Sequence, residues 1–426
     1  MKKVMLKTTL SLAVAMASSQ LFASGFALNE QSVSGMGTGF AGRSSSADDA
    51  STVYGNPAGM SRLNGQQITG GVAAIDASTD ISDTGGNSRG SNKGDMVPFT
   101  AVPFGFYTNK LNDQWAIGFG VYAPFGLVTD YENGFQGRGF GSKSEVKVMT
   151  FQPTVSYAFN DRVSIGFGPT INRISGVLES DRTTLPTAGD TNVKIKGDDT
   201  ALGFNVGVLV QATDTTRVGL TYHSKVKYKL DGHTTVSGPS NTQFLLANNR
   251  YDASLKIDTP ESYDLSVTQD LSDAWKVYGG ATWTRWSRLK EITVNNEGVS
   301  ASGGLLAGGL TNITEEQNWH DTWAYAVGTS YQLTKQVVLR TGLTFDQSPT
   351  NNTDRSPRIP TGDRTIFSVG LGYKVLDNMT IDLAYSYLKE EDVKVNQVAD
   401  APSTASYRAK YENSANGFGL GMTYTF

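Results

Sequence analysis

The chain has 426 residues, a formal net charge of -4, no Cys, 47 Gly and 10% aromatic residues. Charged residues are only 18%, against roughly 25% in ordinary soluble domains. This composition excludes disulfides, thiolate chemistry and a basic footprint for nucleic acid, and it holds too many aromatics for a disordered chain.

Lys2, Lys3 and Lys7 precede an apolar run from Leu10 to Ala17, and Leu21-Phe22-Ala23 follows. The layout is that of a secretory signal peptide, 1–23, with Ala17-Ser18-Ser19 as a competing cleavage site. Export without Cys fits the periplasm or the outer membrane. No later stretch is long and apolar enough for a helical span. Residues 24–66 are rich in Gly and Ser and do not alternate. A segment so poor in charge, placed before the first strand, is expected to pack in a lumen as a plug. Gly37-Thr38-Gly39-Phe40-Ala41-Gly42 spells G-x-G-x-x-G, but a dinucleotide site needs a preceding strand and a following helix. Close backbone packing explains these Gly better.

Across 67–426 the pattern has period two. Trp115, Ile117, Phe119 and Val121 oppose Ala116, Gly118, Gly120 and Tyr122. Leu202, Phe204, Val206 and Val208 oppose Gly203, Asn205 and Gly207, and the chain ends with Phe418, Leu420, Met422, Tyr424 and Phe426 against Gly and Thr. A soluble sheet would carry charge on its second face; Gly and Thr suit a crowded barrel interior. Short polar turns fall at Asn112-Asp113, Asn160-Asp161, Asp214-Thr215, Ser272-Asp273, Thr334-Lys335 and Asp377-Asn378. Longer stretches lie near 81–96, 127–143, 181–198, 237–251, 297–318, 348–363 and 396–408. They join fourteen strands, an even number with short turns at one rim and long loops at the other, which is the outer-membrane arrangement. The fold expected is an all-β, 14-stranded antiparallel transmembrane barrel with an N-terminal plug. A mean hydropathy of -0.29 agrees with walls that are apolar outside and polar inside. A soluble propeller or solenoid is the alternative, and no fixed-period repeat supports it.

Pro124 ends the alternation of the third strand, either as an ordinary strand end or as a gap in pairing. His223, His233 and His320 lack H-x-x-x-H spacing, so no metal site is expected, and no cofactor. A Ser-His-acid hydrolase has no G-x-S-x-G elbow behind it.

Several of these runs resemble one family, the FadL long-chain fatty-acid transporters with their aromatic-hydrocarbon relatives. SGFALNEQSVSGMGTGFAG, ADDAS and Asn56-Pro57-Ala58 are similar to the family's N-terminal hatch. PFGLVTDY at 124–131 with Gly137-Arg138 resembles its third strand and following loop. Arg340-Thr341-Gly342, then Phe345-Asp346-Gln347-Ser348-Pro349, Arg355, Pro360, Asp363 and Arg364, is the most specific run.

The resemblance implies passive carriage of hydrophobic molecules across the outer membrane, without catalysis. Ligand would be caught in a groove among outer loops, held in a deeper apolar pocket, and released sideways into the membrane. By position, Phe26 would reach the deep pocket, and the hatch at Asn56, Pro57 and Ala58 would face a gap at Gly120 and Pro124. Arg173 and His320 would meet the ligand's head group. His320 stands where Lys is common, so its charge would depend on pH. Arg173 has the parity of lipid-facing Ile165 and Phe167, so an inward side chain needs a bulge near Pro169. The loops at 181–198 and 237–251 are short for the outer groove. The partners implied are a long-chain fatty acid or another hydrophobic small molecule and outer-membrane lipid, with the barrel a monomer. Aromatic-hydrocarbon uptake, a general porin and an outer-membrane lipolytic enzyme are the alternatives.

Overall fold

Large apolar residues at every second position, with Gly, Ser and Thr between them, give strands whose two faces suit different solvents. The computed structural model describes residues 25–185, 189–238, 249–299, 309–398 and 405–426, so the expected signal peptide lies outside the described residues. These residues build fourteen antiparallel walls. β1 (Gln66–Gly86), β2 (Thr100–Lys110), β3 (Trp115–Asp130), β4 (Lys143–Ala158), β5 (Val163–Leu185) and β6 (Gly189–Gln211) each form one wall. The next four walls are interrupted: β7 (Thr216–His223) with β8 (Val226–Ser237), β9 (Arg250–Thr259) with β10 (Ser262–Asp270), β11 (Trp275–Thr284) with β12 (Glu291–Asn296), and β13 (Asn312–Glu316) with β14 (Thr322–Gln332). β15 (Val337–Asp346) and β16 (Arg364–Leu376) follow, then β17 (Met379–Glu390) with β18 (Val393–Val398), and β19 (Ser406–Thr425). β1 pairs with β19 from Gln67↔Thr425 to Gly86↔Tyr407 and closes the sheet. Closure removes the sheet edges that a bilayer would leave unsatisfied.

Most of the predicted outward residues are exposed, among them Ile117, Phe119, Phe167, Leu202, Phe418 and Leu420, while Val121, Val206 and Val208 are half-buried. An aromatic belt crosses β6, β7, β10 and β11, with ring centroids 5.8 Å apart for Phe204–Tyr222, 4.8 Å for Tyr222–Tyr263 and 5.9 Å for Tyr263–Trp283. Such girdles mark the edges of a membrane-facing band. The stretch 181–198 differs from expectation. It continues β5 and β6 in unbroken register from Val163↔Val210 to Thr183↔Asp190. Val193 stays buried beside more exposed Lys194, so the two-residue period simply runs on.

Residues 25–64 lie within the barrel. Helix α1 (Val33–Gly37) is capped by the Ser32 hydroxyl, which accepts from the Gly35 amide at 3.0 Å. Helix α2 (Thr52–Gly55) leads to a 3-10 turn at Pro57–Arg62, where the Asn56 side chain accepts from the Ala58 amide. The segment circles the inner wall in sequence order. Val33 meets Gly419, Gly37 meets Gly370, Thr38 meets Gly342 and Gly328, Ala41 meets Gly280, Ser44 meets Gly219, Pro57 meets Gly166 and Met60 meets Gly118. A methyl group at Gly219 would lie 1.8 Å from the Ser44 carbonyl oxygen. The inward glycines of the wall are therefore the seat of this segment, since only a missing side chain allows so close an approach.

Candidate functional site at the third-strand break

Strand β3 pairs with β2 only from Lys110↔Ala116 to Gly105↔Val121. Beyond that point Thr100–Phe104 of β2 are paired on the β1 side and have no β3 partner among the described residues. Against β4, β3 carries one extra residue between Tyr122 and Phe125. A bulge of this kind bends its strand, and Pro124 within it has no N–H to contribute.

The edge of β3 so released is taken by the N-terminal segment. Leu28 donates to the Pro124 carbonyl at 2.8 Å, and Gly126 donates to the Phe26 carbonyl at 2.9 Å. Ala27 and Phe125 stand opposite each other in this short antiparallel bridge. The Gln31 side-chain amide adds bonds to the Ala123 carbonyl at 2.7 Å and the Leu28 carbonyl at 3.0 Å. Gly25 precedes the bridge with φ +64, and a Cβ there would lie 2.7 Å from the Trp319 ring and 2.9 Å from that of Trp286.

This bridge aims Phe26 into an apolar cluster. Its ring lies 4.9 Å from Trp286, 5.7 Å from Phe125 and 6.0 Å from Trp319, and Ile174, Val226 and Ile359 belong to the same cluster. A small pocket adjoins Phe26, with Leu127, Thr129, Arg358 and Ile359 among its lining residues. A second, larger pocket has Leu28, Tyr122, Pro124, Phe125 and Val226 among its lining residues. The bridge residues border both. Next in sequence, Glu30 is buried, and loss of water raises its carboxyl to about 7 despite the opposing pull of its own and the Asn29 backbone amides and of Arg43 and Arg364.

Six residues depart from the sequence reading. Gly120 is still paired, opposite Phe106 and Gln152, so the unpaired stretch begins after Val121. Asn56, Pro57 and Ala58 sit at the β5–β6 wall instead of the β3 edge. The Asn56 side chain donates to the Ser44 carbonyl at 2.7 Å and the Val208 carbonyl at 2.9 Å, and the Ala58 carbonyl accepts from Ser164 at 3.0 Å. Arg173 points outward. No bulge re-phases β5 at Pro169, neighbouring Ile174 takes the inward place, and Arg173 pairs with Asp198 at 2.9 Å. His320 is exposed, while Trp319 before it is buried in the Phe26 cluster. Sequence reading missed Trp286, Trp319 and Arg358. A signal for the two Trp was present in the walls broken at WTRWSR and NWHD, where polar residues flank an isolated ring.

Residues 14–426 match a family model described as "Outer membrane protein transport protein (OMPP1/FadL/TodX)". The chain belongs to this family. It is a multi-pass outer-membrane β-barrel of a Gram-negative bacterium, in a family that transports hydrophobic substrates. A long-chain fatty acid transport protein of Escherichia coli is 28% identical over 100% of this chain and 99% of its own length. A putative outer membrane protein of Neisseria meningitidis is 30% identical over 99% of this chain and 98% of its own. Among solved structures, a Pseudomonas aeruginosa FadL homologue aligns with TM-score 0.84 and 25% identity, covering 95% of this chain and 100% of that one. The toluene transporter of Ralstonia pickettii aligns with TM-score 0.68 and 17% identity over 92% and 97% of the two chains, a likeness of fold.

Proposed function

We propose that this protein takes up long-chain fatty acids or similar acyl molecules, holds them in the Phe26 cluster, and releases them sideways between β2 and β3. Residues 24–66 act as a hatch within the barrel formed by 67–426. The observation that carries this reading is the bridge of Phe26–Leu28 to the β3 edge. One three-residue strand both fills the apolar pocket and covers the unpaired edge, so a ligand that displaces Phe26 also frees the gap.

Magnitudes favour a long chain over a small aromatic. A buried Phe side chain contributes about 1.5–3 kcal/mol, whereas a dozen methylenes at about 0.8 kcal/mol each contribute roughly 10 kcal/mol. An acyl chain therefore outcompetes Phe26 with free energy left to move the bridge. Toluene is the Phe side chain itself, and the exchange gains almost nothing. A lateral exit suits this cargo, because an acyl chain passes from pocket to bilayer without re-entering water. The exposed apolar band would meet lipid around a single closed barrel, which needs no second copy. The long-chain fatty acid transport protein of Escherichia coli, 28% identical to this chain, supports the fatty-acid reading.

The test is uptake by cells that depend on this protein, with the wild-type chain and with Phe26→Ala. Loss of the Phe26 ring should lower the ligand concentration needed for half-maximal fatty-acid uptake. Uptake of toluene but not of fatty acid would reverse the assignment.

A further inference from the structure

Bacterial barrels turn their longer loops outward, and the outer face of β5, β6, β8 and β9 changes chemistry as it nears that rim. The aromatic belt crosses β6 at Phe204; one step further out, Ile171 and Leu202 stand opposite each other and are exposed, Leu202 at 76%. Thr200 lies a further step along β6, so it stands about 13 Å of strand beyond Phe204. At this level a row of outward cations begins. Arg173 stands opposite Thr200, and on the next two strands Lys229 stands opposite Lys256, with Lys227 one step nearer the belt. The register Asp198↔Asp231 joins β6 to β8, and the Lys229 amide donates to the Asp199 carboxylate at 2.7 Å, so the two pairs lie side by side. Lys227, Lys229 and Lys256 are exposed because they alternate with buried Val226, Tyr228, Leu230 and Ile257.

Nearby carboxylates meet only part of this charge. Arg173 pairs with Asp198 at 2.9 Å, Lys229 reaches Asp231 at 3.6 Å, and Asp258 stands opposite Lys227. Lys256 makes no ion pair among the described residues and faces Lys229 across the strands. Like charges placed directly opposite each other destabilise a sheet. On β18 and β19, Lys394 also faces Lys410, but there Asp392 and Glu412 each lie 2.8 Å from the Lys410 ammonium. No such relief exists between Lys229 and Lys256.

We propose that Arg173, Lys229 and Lys256, with Lys227 beneath them, form a site for lipopolysaccharide on the outer wall of the barrel. A lipid A phosphate would lie between the two Lys, and its acyl chains would lie along Leu202 and Ile171. A phosphate offers several strong acceptor oxygens at once, and bonds between ionised groups are the strongest of their kind. An anion between Lys229 and Lys256 turns their repulsion into shared attraction. The exposed apolar strip directly below the row selects a lipid over free phosphate, since an amphipathic anion satisfies both halves of the face. This site is separate from the lumen and independent of what the lumen carries.

The test follows thermal unfolding of the purified full-length protein in detergent with diphosphoryl lipid A, with the same lipid stripped of its phosphates, and with inorganic phosphate. Half-maximal stabilisation should need about tenfold less of the diphosphoryl lipid than of the stripped one, the factor one charge-assisted contact supplies. Inorganic phosphate at the same concentrations should neither stabilise nor compete. Lys256→Gln should erase most of the difference between the lipids, yet leave the midpoint without lipid unchanged or raised, because it also ends the repulsion with Lys229. A residue needed only for the fold would lower that midpoint instead. Lys394→Gln should change nothing. Equal stabilisation of the wild-type protein by both lipids overturns the site, as does a phosphate preference that survives Lys229→Gln combined with Lys256→Gln. Inorganic phosphate that matches the diphosphoryl lipid would overturn the assignment to a lipid.

Discussion

The amide of Leu28 donates to the carbonyl of Pro124 at 2.8 Å, tying the start of the N-terminal segment to the break in the third strand. Pro124 sits in the bulge that bends β3 away from β2, so the residue that spoils the wall is also the one that anchors the segment within it.

Locking this bridge should stop transport. Ala27 and Phe125 form the non-hydrogen-bonded pair, where Cα atoms lie about 4.5 Å apart, inside the range a disulfide accepts. In a chain with no native Cys, Ala27→Cys with Phe125→Cys should cross-link on oxidation and bring fatty-acid uptake to background. Reduction should restore it. Full uptake in the oxidised state would mean the bridge need not open.

The seat of the N-terminal segment should be sensitive to single methyl groups. At Gly207 a Cβ would lie 1.9 Å from the Asn56 side-chain oxygen. Gly207→Ala should destabilise the seated segment by about 1–3 kcal/mol, the usual effect of overpacking. Limited proteolysis would then cleave the segment faster, and planar bilayers would show a larger conductance. Gly105→Ala, where a Cβ meets nothing within 4 Å, is the matched control.

Glu30 gives the segment a pH dependence of definite sign. Burial raises its carboxyl from 4.5 to about 7 while the segment is seated, and a released segment exposes it to water. The seated form then binds the proton more tightly, so seating is strongest below 4.5 and weakens as pH rises to about 7. Hydrogen exchange at Leu28 and Gly126 should quicken over that window in the wild-type protein. Glu30→Gln should flatten the profile. An unchanged slope in the variant would assign the effect to another group.

Much of this architecture is legible in the sequence because a barrel wall imposes a strict two-residue period. Phe418 to Phe426 and Trp115 to Val121 declare their outer faces, and the turn residues mark one rim. The Gly on the inner face signal crowding without revealing what crowds them, since contacts between Ser44 and Gly219 or Thr38 and Gly342 span long separations that leave no local pattern. Pro124, which has no N–H, lies within the register shift of β3. The resemblance points to Asn56 as the cover of this break, whereas Phe26–Leu28 cover it with backbone groups that every sequence has and that leave no side-chain signal. Parity alone held the right answer for Arg173: the regular alternation of β5 continues through it.

Lateral release would pass through the unpaired stretch between β2 and β3. The most direct measurement is uptake of a labelled fatty acid by cells whose only transporter carries a straightened third strand, with Ala123 deleted and Pro124→Val. The deletion removes the one extra residue of β3 against β4 and gives the strand an N–H to pair with. Uptake by this variant should fall to background while the purified protein still binds fatty acid. Normal uptake through a barrel whose β2 and β3 are fully paired would contradict it.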